Sequence, residues 1–288
     1  MPTHQKGFPL QSLTHLPMND VSDKYGSLWT REETILCFYL YCQIPFSRTN
    51  KSNPEVVKLA NLLDRTIGSV VRKLGNLGAV DERLRAFNIS GLVNYAKLDK
   101  EIFNEFVNEW ERLVSVSQRI IEDINEEKGI EIIKPIEETA EKDIIAEFTR
   151  LSKLPTEKQV SVNVRIRQSF FRRAVLSNYD NKCCISGVDI PELLIASHIV
   201  PWAKDENSRI DPQNGLTLSA FHDRAFDTGL ITITPDYCIR ISKKVLKSKS
   251  EFIKPSILEF EGKEINLLSK FLPKKEYLEW HNKNVFIK

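Results

Sequence analysis

The stretch Leu193–Ile233, reading LLIASHIVPWAKDENSRIDPQNGLTLSAFHDRAFDTGLITI, constrains this 288-residue chain more than any other. It places two of the five histidines, His198 and His222, on either side of Asn214, at spacings of 16 and then 8 residues. The run Leu194-Ile195-Ala196-Ser197 before His198 reads as a strand. A polar loop follows from Pro201 to Gln213, and Leu216-Thr217-Leu218 reads as a second short strand. Ser219 is placed to cap a helix over Ala220–Asp227, which Gly229 ends. The local order is strand, long loop, strand, helix, with His198 on the first strand and His222 on the helix.

Cutting a phosphodiester needs a base to activate water and something to hold charge on the leaving oxygen. An imidazole, with an ordinary pKa of about 6.5, suits the first task, and a divalent ion suits the second. The His, Asn and His at these spacings, with the flanking ASHI, PW, NG and FHDRAFDTGLI pieces, resemble the HNH nucleases, whose nuclease module is the ββα-metal fold. The resemblance covers roughly residues 164–288. It implies His198 as general base, His222 as metal ligand, and Asn214 as the residue that ties the strands together through backbone hydrogen bonds. It also implies a divalent cofactor, with Mg²⁺ or Mn²⁺ expected. Many HNH nucleases carry Asp or His just before the base, where this chain has Ser197. A second ligand would then come from Asp223 or Asp227, which are four apart on one helix face, or from water. The alternative for these two is solvated charge or helix capping.

Upstream, Trp29–Asn108 reads as a mostly helical domain. Thr30 and Glu33 form a capping box for a helix through Gln43. Ser52 or Asn53 caps a second helix with Pro54 in its first turn. A third helix over Thr66–Leu77 offers Arg65, Ser69, Arg72, Lys73 and Asn76 on its polar side. Three such helices resemble a helix-turn-helix or winged-helix domain, in which the third helix enters the major groove. The WTREE start and the NPEVVKLANLLDRTIGSVVRKLGNL run resemble the N-terminal domains of some bacterial HNH restriction-type proteins. The bland alternative is a helical domain with a solvated basic face.

One helix is expected over 99–125, where Phe103, Phe106, Trp110, Leu113, Ser117, Ile120 and Ile124 keep heptad spacing. The seam fits either a homodimer or packing within the chain. Residues 111–150 hold 11 acidic and 6 basic side chains, so with a net charge of +2 overall the rest of the chain carries +7. That separation favours DNA-contacting ends. Val164–Tyr179 reads as a basic amphipathic helix whose Arg165, Arg167, Arg172 and Arg173 are available for phosphate, a task suited to the planar guanidinium. Strands are expected at Tyr237–Ile241 and Ile257–Phe260, and a final helix over Pro273–Asn284.

The expectation is therefore an α+β chain: a loose arm (1–27), a helical, winged-helix-like DNA-recognition domain (28–110), an acidic helical connector (111–162) and a ββα-metal HNH nuclease domain (163–288). The function expected is a metal-dependent, restriction-type endonuclease on double-stranded DNA, dimeric, possessing no membrane span and working in the cytoplasm. The rivals are a non-catalytic DNA-binding regulator and a homing or mobile-element nuclease. Five cysteines without a CxxC pair exclude an evident zinc ribbon and fit a reducing compartment.

Overall fold

The structure is a computed structural model that describes residues 24, 26–86, 95–129, 156–205, 208–267 and 270–288. The expected arm and the second acidic helix, over 136–151, fall almost wholly outside these residues. The capping signals mark helix starts as expected. Thr30 and Glu33 make the reciprocal box at α1 (Arg31–Gln43), Asn53 caps α2 (Pro54–Leu62), and Thr66 caps α3 (Ile67–Val80). A short α4 (Glu82–Ala86) follows.

Helix α1 is the axle of the first core, because every residue from Glu33 to Gln43 is buried. Around it pack α2, α3, α5 (Lys97–Phe106), α6 (Trp110–Glu127) and α7 (Thr156–Asn178). The single helix expected over 99–125 is thus two, broken between Val107 and Glu109. Phe103, Phe106, Trp110, Leu113, Ser117 and Ile120 all point into the chain's own core. The heptad is therefore an internal seam, and its apolar residues are not available to a second copy. For the same reason residues 110–127 belong to the core and not to a connector. Among the described residues no strand precedes Leu194.

A second core is built from β1 (Leu194–His198), β2 (Gly215–Ser219), α8 (Ala220–Asp227), β3 (Ile231–Ile233), β4 (Ile239–Ile241) and the C-terminal α11 (Lys275–Asn284). Two short helices, α9 (Lys243–Leu246) and α10 (Ile253–Ser256), lie between β4 and α11. Leu258–Phe260 is a 3₁₀ turn where a strand was expected. The hairpins β1–β2 and β3–β4 are antiparallel and separate. His281 is stacked on Phe226 at 3.7 Å and faces the Thr232 hydroxyl at 2.8 Å.

Helix α7 joins the two cores. Phe170 stacks on Tyr39 of α1 at 5.4 Å, and the Ser177 hydroxyl donates to the Cys42 carbonyl. On its other flank the Thr217 hydroxyl of β2 donates to the Val175 carbonyl, and Arg172 donates to the Leu194 carbonyl. Gly215 makes this approach possible, because a Cβ there would lie 2.2 Å from Val175 Cγ2.

Candidate functional site

The hairpin register fixes where the histidines point. His198 pairs with Gly215, Ala196 with Thr217, Ser197 with Leu216, and Leu194 with Ser219. Paired residues share a face of the ladder, and successive residues alternate. The face of Gly215 and Thr217 meets α7, and there His198 stacks flat on Phe171, with 3.8 Å between ring centroids. The Trp202 ring stands perpendicular to the imidazole at 5.8 Å.

The His198 Nε2 lies 2.9 Å from the Arg209 carbonyl. A carbonyl only accepts, so Nε2 carries the proton and Nδ1 keeps its lone pair. Nδ1 has no hydrogen-bond partner among the described residues. Burial holds His198 below the ordinary imidazole pKa, against the pull of the Arg209 carbonyl. The ring is therefore neutral at pH 7, as a general base must be.

Asn214 is completely buried. Its Oδ1 accepts from the Val200 N–H at 2.8 Å, and its Nδ2 donates to the carbonyls of Val200 at 3.0 Å and Ser208 at 3.2 Å. These bonds close the loop just after β1 onto the start of β2. Ser208 immediately precedes Arg209, so the same closure sets the carbonyl that orients His198.

His222 sits elsewhere. Its Nδ1 faces the Ser219 hydroxyl at 2.9 Å and Cys183 Sγ at 3.6 Å, and its Nε2 donates to the Ser256 carbonyl at 2.8 Å. Ser219 pairs with Leu194, four residues along β1 from His198, which is roughly 13 Å at about 3.3 Å per residue. Helix α8 covers the Leu216 and Leu218 face, the one opposite His198. Burial tends to lower the His222 pKa, but Cys183 and the Ser256 carbonyl raise it above its ordinary value. Burial pushes the Cys183 thiol up, yet hydrogen bonds from His222 and Ser186 bring it to about 6.

This arrangement does not fit a divalent ion at His222. Both ring nitrogens are engaged by protein atoms, and the ring is buried. The buried Ser197 hydroxyl has no hydrogen-bond partner, but it offers one neutral oxygen only. Asp227 lies at the surface, and partial burial of its carboxyl together with the charge of Asp223 raises its pKa, so the two carboxylates repel each other. Among the described residues no three His, Cys, Asp or Glu side chains are grouped to hold a metal. The sequence expects His222 as ligand, with Asp223 or Asp227 as the second; in this arrangement the nitrogens of His222 face Ser219, Cys183 and Ser256.

Most of the residues expected to read DNA from α3 are turned inward. Arg65 is buried, ion-paired with Glu33 at 2.7 Å and donating to the carbonyls of Lys24, Ser27 and Leu28. Lys73 is buried against Asp99, which also takes a bond from Asn76. Ser69 is engaged at the helix start, its N–H donating to the capping Thr66 hydroxyl and its own hydroxyl to the Thr66 carbonyl. Only Arg72 of that set is exposed. These cations fix the helical core, so α3 does not present the basic face expected of a recognition helix.

On α7, Arg165 is exposed, Arg167 is paired with Glu111 at 2.6 Å, and Arg172 and Arg173 are half-buried. Arg172 reaches the same cavity as His198, together with Gln168 and Trp202. Phe171, Trp202 and the Arg209 carbonyl escaped the sequence reading. PW and the upstream FF pair were the only signals available, and neither shows which ring the imidazole meets.

Residues 183–234 match the model of a family described as HNH endonuclease. The match contains the whole hairpin, α8 and both histidines. No curated protein matches the chain. Among the described residues, no helix is long and apolar enough to cross a membrane.

Proposed function

We propose that this chain is a DNA endonuclease of the HNH type, in which His198 is the general base. The observation that carries the reading is a neutral imidazole with its Nε2 proton fixed on Arg209 and its Nδ1 open, inside the segment that matches the HNH family. Water between Nδ1 and a phosphate gives its proton to Nδ1 as its oxygen bonds phosphorus. The bond to the 3′ oxygen breaks, and that oxygen takes a proton from solvent, leaving 5′-phosphate and 3′-hydroxyl ends. Arg172 has no carboxylate partner among the described residues and supplies positive charge beside His198. Arg165 extends the basic track along α7. Asn214 acts through the loop that positions the base. HNH nucleases generally use a divalent ion, but no step is assigned to one here, because His222 is already bonded on both nitrogens.

The substrate proposed is double-stranded DNA, and a restriction-type role on modified or foreign DNA rests on the likeness of the N-terminal stretch to restriction-type proteins. Dimerisation loses the support of the heptad. One observation favours a non-catalytic DNA-binding role, namely the occupied nitrogens of His222.

The test is plasmid cutting by wild type and His198→Ala, on methylated and unmodified DNA, with Mg²⁺, Mn²⁺ or EDTA. Cutting by wild type, abolished in the variant while DNA binding persists, is the expected result. The acid limb of the rate should lie below the ordinary imidazole midpoint near pH 6.5, as burial of His198 requires. Cutting retained by His198→Ala removes it from the mechanism. Binding without cutting under every condition favours the regulator.

A further inference from the structure

The cavity beside His198 has more in it than hydrolysis of a phosphodiester requires. Its volume is about 360 Å³. That lies near the lower end of the roughly 300–1,000 Å³ typical of small-ligand sites, and suits one nucleotide better than a helix. Ile195 and Ala196 of β1 and the partly exposed Trp202 indole give it apolar walls. Gln168, exposed on α7, stands at its rim, and Arg172 lies one helical turn further along the same face. Apolar walls do nothing for a bare phosphate, whose recognition needs donors alone. The Trp202 indole, which already meets Arg209 at 5.4 Å and stands perpendicular to His198, offers its remaining aromatic surface to a base, an amide offers a paired donor and acceptor for a base edge, and a guanidinium offers a fork for phosphate.

We propose that this cavity receives one unpaired nucleobase of the strand being cut, seated against Trp202 with its hydrogen-bonding edge at Gln168 and its phosphate toward Arg172. The proposal rests on the nuclease reading for its substrate class and adds a base-selective subsite to it. A base leaves the helical stack most easily where it is mismatched, damaged or already single-stranded, so the site favours such positions next to the cut. Gln168 is then a specificity-determining residue, and Trp202 the platform.

The experiment titrates the full chain with each of the four deoxynucleoside 5′-monophosphates and with deoxyribose 5-phosphate, following tryptophan fluorescence. The chain has four tryptophans, so Trp202→Phe identifies the signal that belongs to the cavity. The expected result is quenching by nucleotides, with at least about fivefold tighter binding than the base-free sugar phosphate, as the low end of base–aromatic stacking implies. Trp202→Phe should lose that quenching. Gln168→Ala, a change at an exposed side chain, should alter the order of preference among the four bases. Equal affinity for the sugar phosphate, or quenching that persists in Trp202→Phe, overturns the proposal. Plasmid cutting separates the two readings. Base-dependent quenching without cutting upholds the cavity and removes the nuclease, whereas cutting with no base-dependent quenching removes the cavity and upholds the nuclease.

Discussion

Asn214→Asp keeps the size and shape of the side chain and changes only its hydrogen-bonding character. In the wild type one side-chain oxygen accepts from the Val200 N–H, and one amide nitrogen donates to two carbonyls, at 3.0 and 3.2 Å. An ionised carboxylate in its place keeps the first bond but sets a negative oxygen against those two carbonyl oxygens, at a position with no solvent exposure. Asn214→Ala leaves the Val200 N–H without its acceptor, at a cost of about 1–3 kcal/mol, and removes the donor from the two carbonyls. We expect about 3 kcal/mol for the alanine variant at pH 8, and more for the aspartate variant, since an unpaired buried charge is costlier than an unpaired amide. The aspartate variant then has a signature that the alanine variant lacks. Burial raises its folded-state carboxyl pKa above the unfolded value of about 3.9, so the folded state binds the extra proton first and the deficit shrinks as pH falls. Urea unfolding of wild type and both variants at pH 8 and pH 5.5 measures this. An aspartate variant as stable as wild type at pH 8, or an alanine variant within about 0.5 kcal/mol of it, would refute the role of Asn214 as the closure of the loop, given the cost of about 1–3 kcal/mol for an unmet buried donor.

Other expectations follow from the same packing. His281 is held by burial at about 4, against about 6.5 unfolded, so its contribution is complete above pH 6.5 and is lost as pH falls toward 4. Urea unfolding at pH 7 and pH 4.5 should show a loss of roughly 2–3 kcal/mol that is absent in His281→Phe. Gly215→Ala puts a methyl group 2.2 Å from Val175 Cγ2 and 3.0 Å from Phe171 Cζ. It should lower stability by about 1–3 kcal/mol and reduce cutting by moving Phe171 off His198, read by thermal melting and plasmid assay. Lys73→Met leaves Asp99 charged and buried, and should cost about 3–5 kcal/mol. Adding Asp99→Leu should restore part of that loss in chemical denaturation, and no restoration would mean that Asp99 matters for its bonds to Ala96 and Asn76 instead.

What could be read from the sequence was local. Thr30 with Glu33, Asn53 with Pro54, and Ser219 before Ala220 announce helix starts because the capping atoms lie within three residues of what they cap. The strand–strand–helix order around His198 and His222 is of the same kind. The errors came from partners far away in the chain. Arg65 reads as a surface cation until Glu33, 32 residues earlier, is brought against it, and Lys73 until Asp99 is. The heptad gave the apolar face correctly and could not say what covers it. Of the partners of His222, Ser219 is three residues away and legible as a cap, but Cys183 and Ser256 lie 39 and 34 residues from it and carry no local signal.

Phe170 and Phe171 are neighbours in sequence, yet one is stacked on Tyr39 of the helical half and the other on His198. A change in α1 that tilts the first ring is passed across a single peptide unit to the second. The packing of the two halves is therefore coupled through α7. Exchanging the N-terminal half alone would remove the ring that Phe170 meets, one residue from the ring that backs His198, so the junction acts as a lever by which residues far from the cavity bear on the angle of His198.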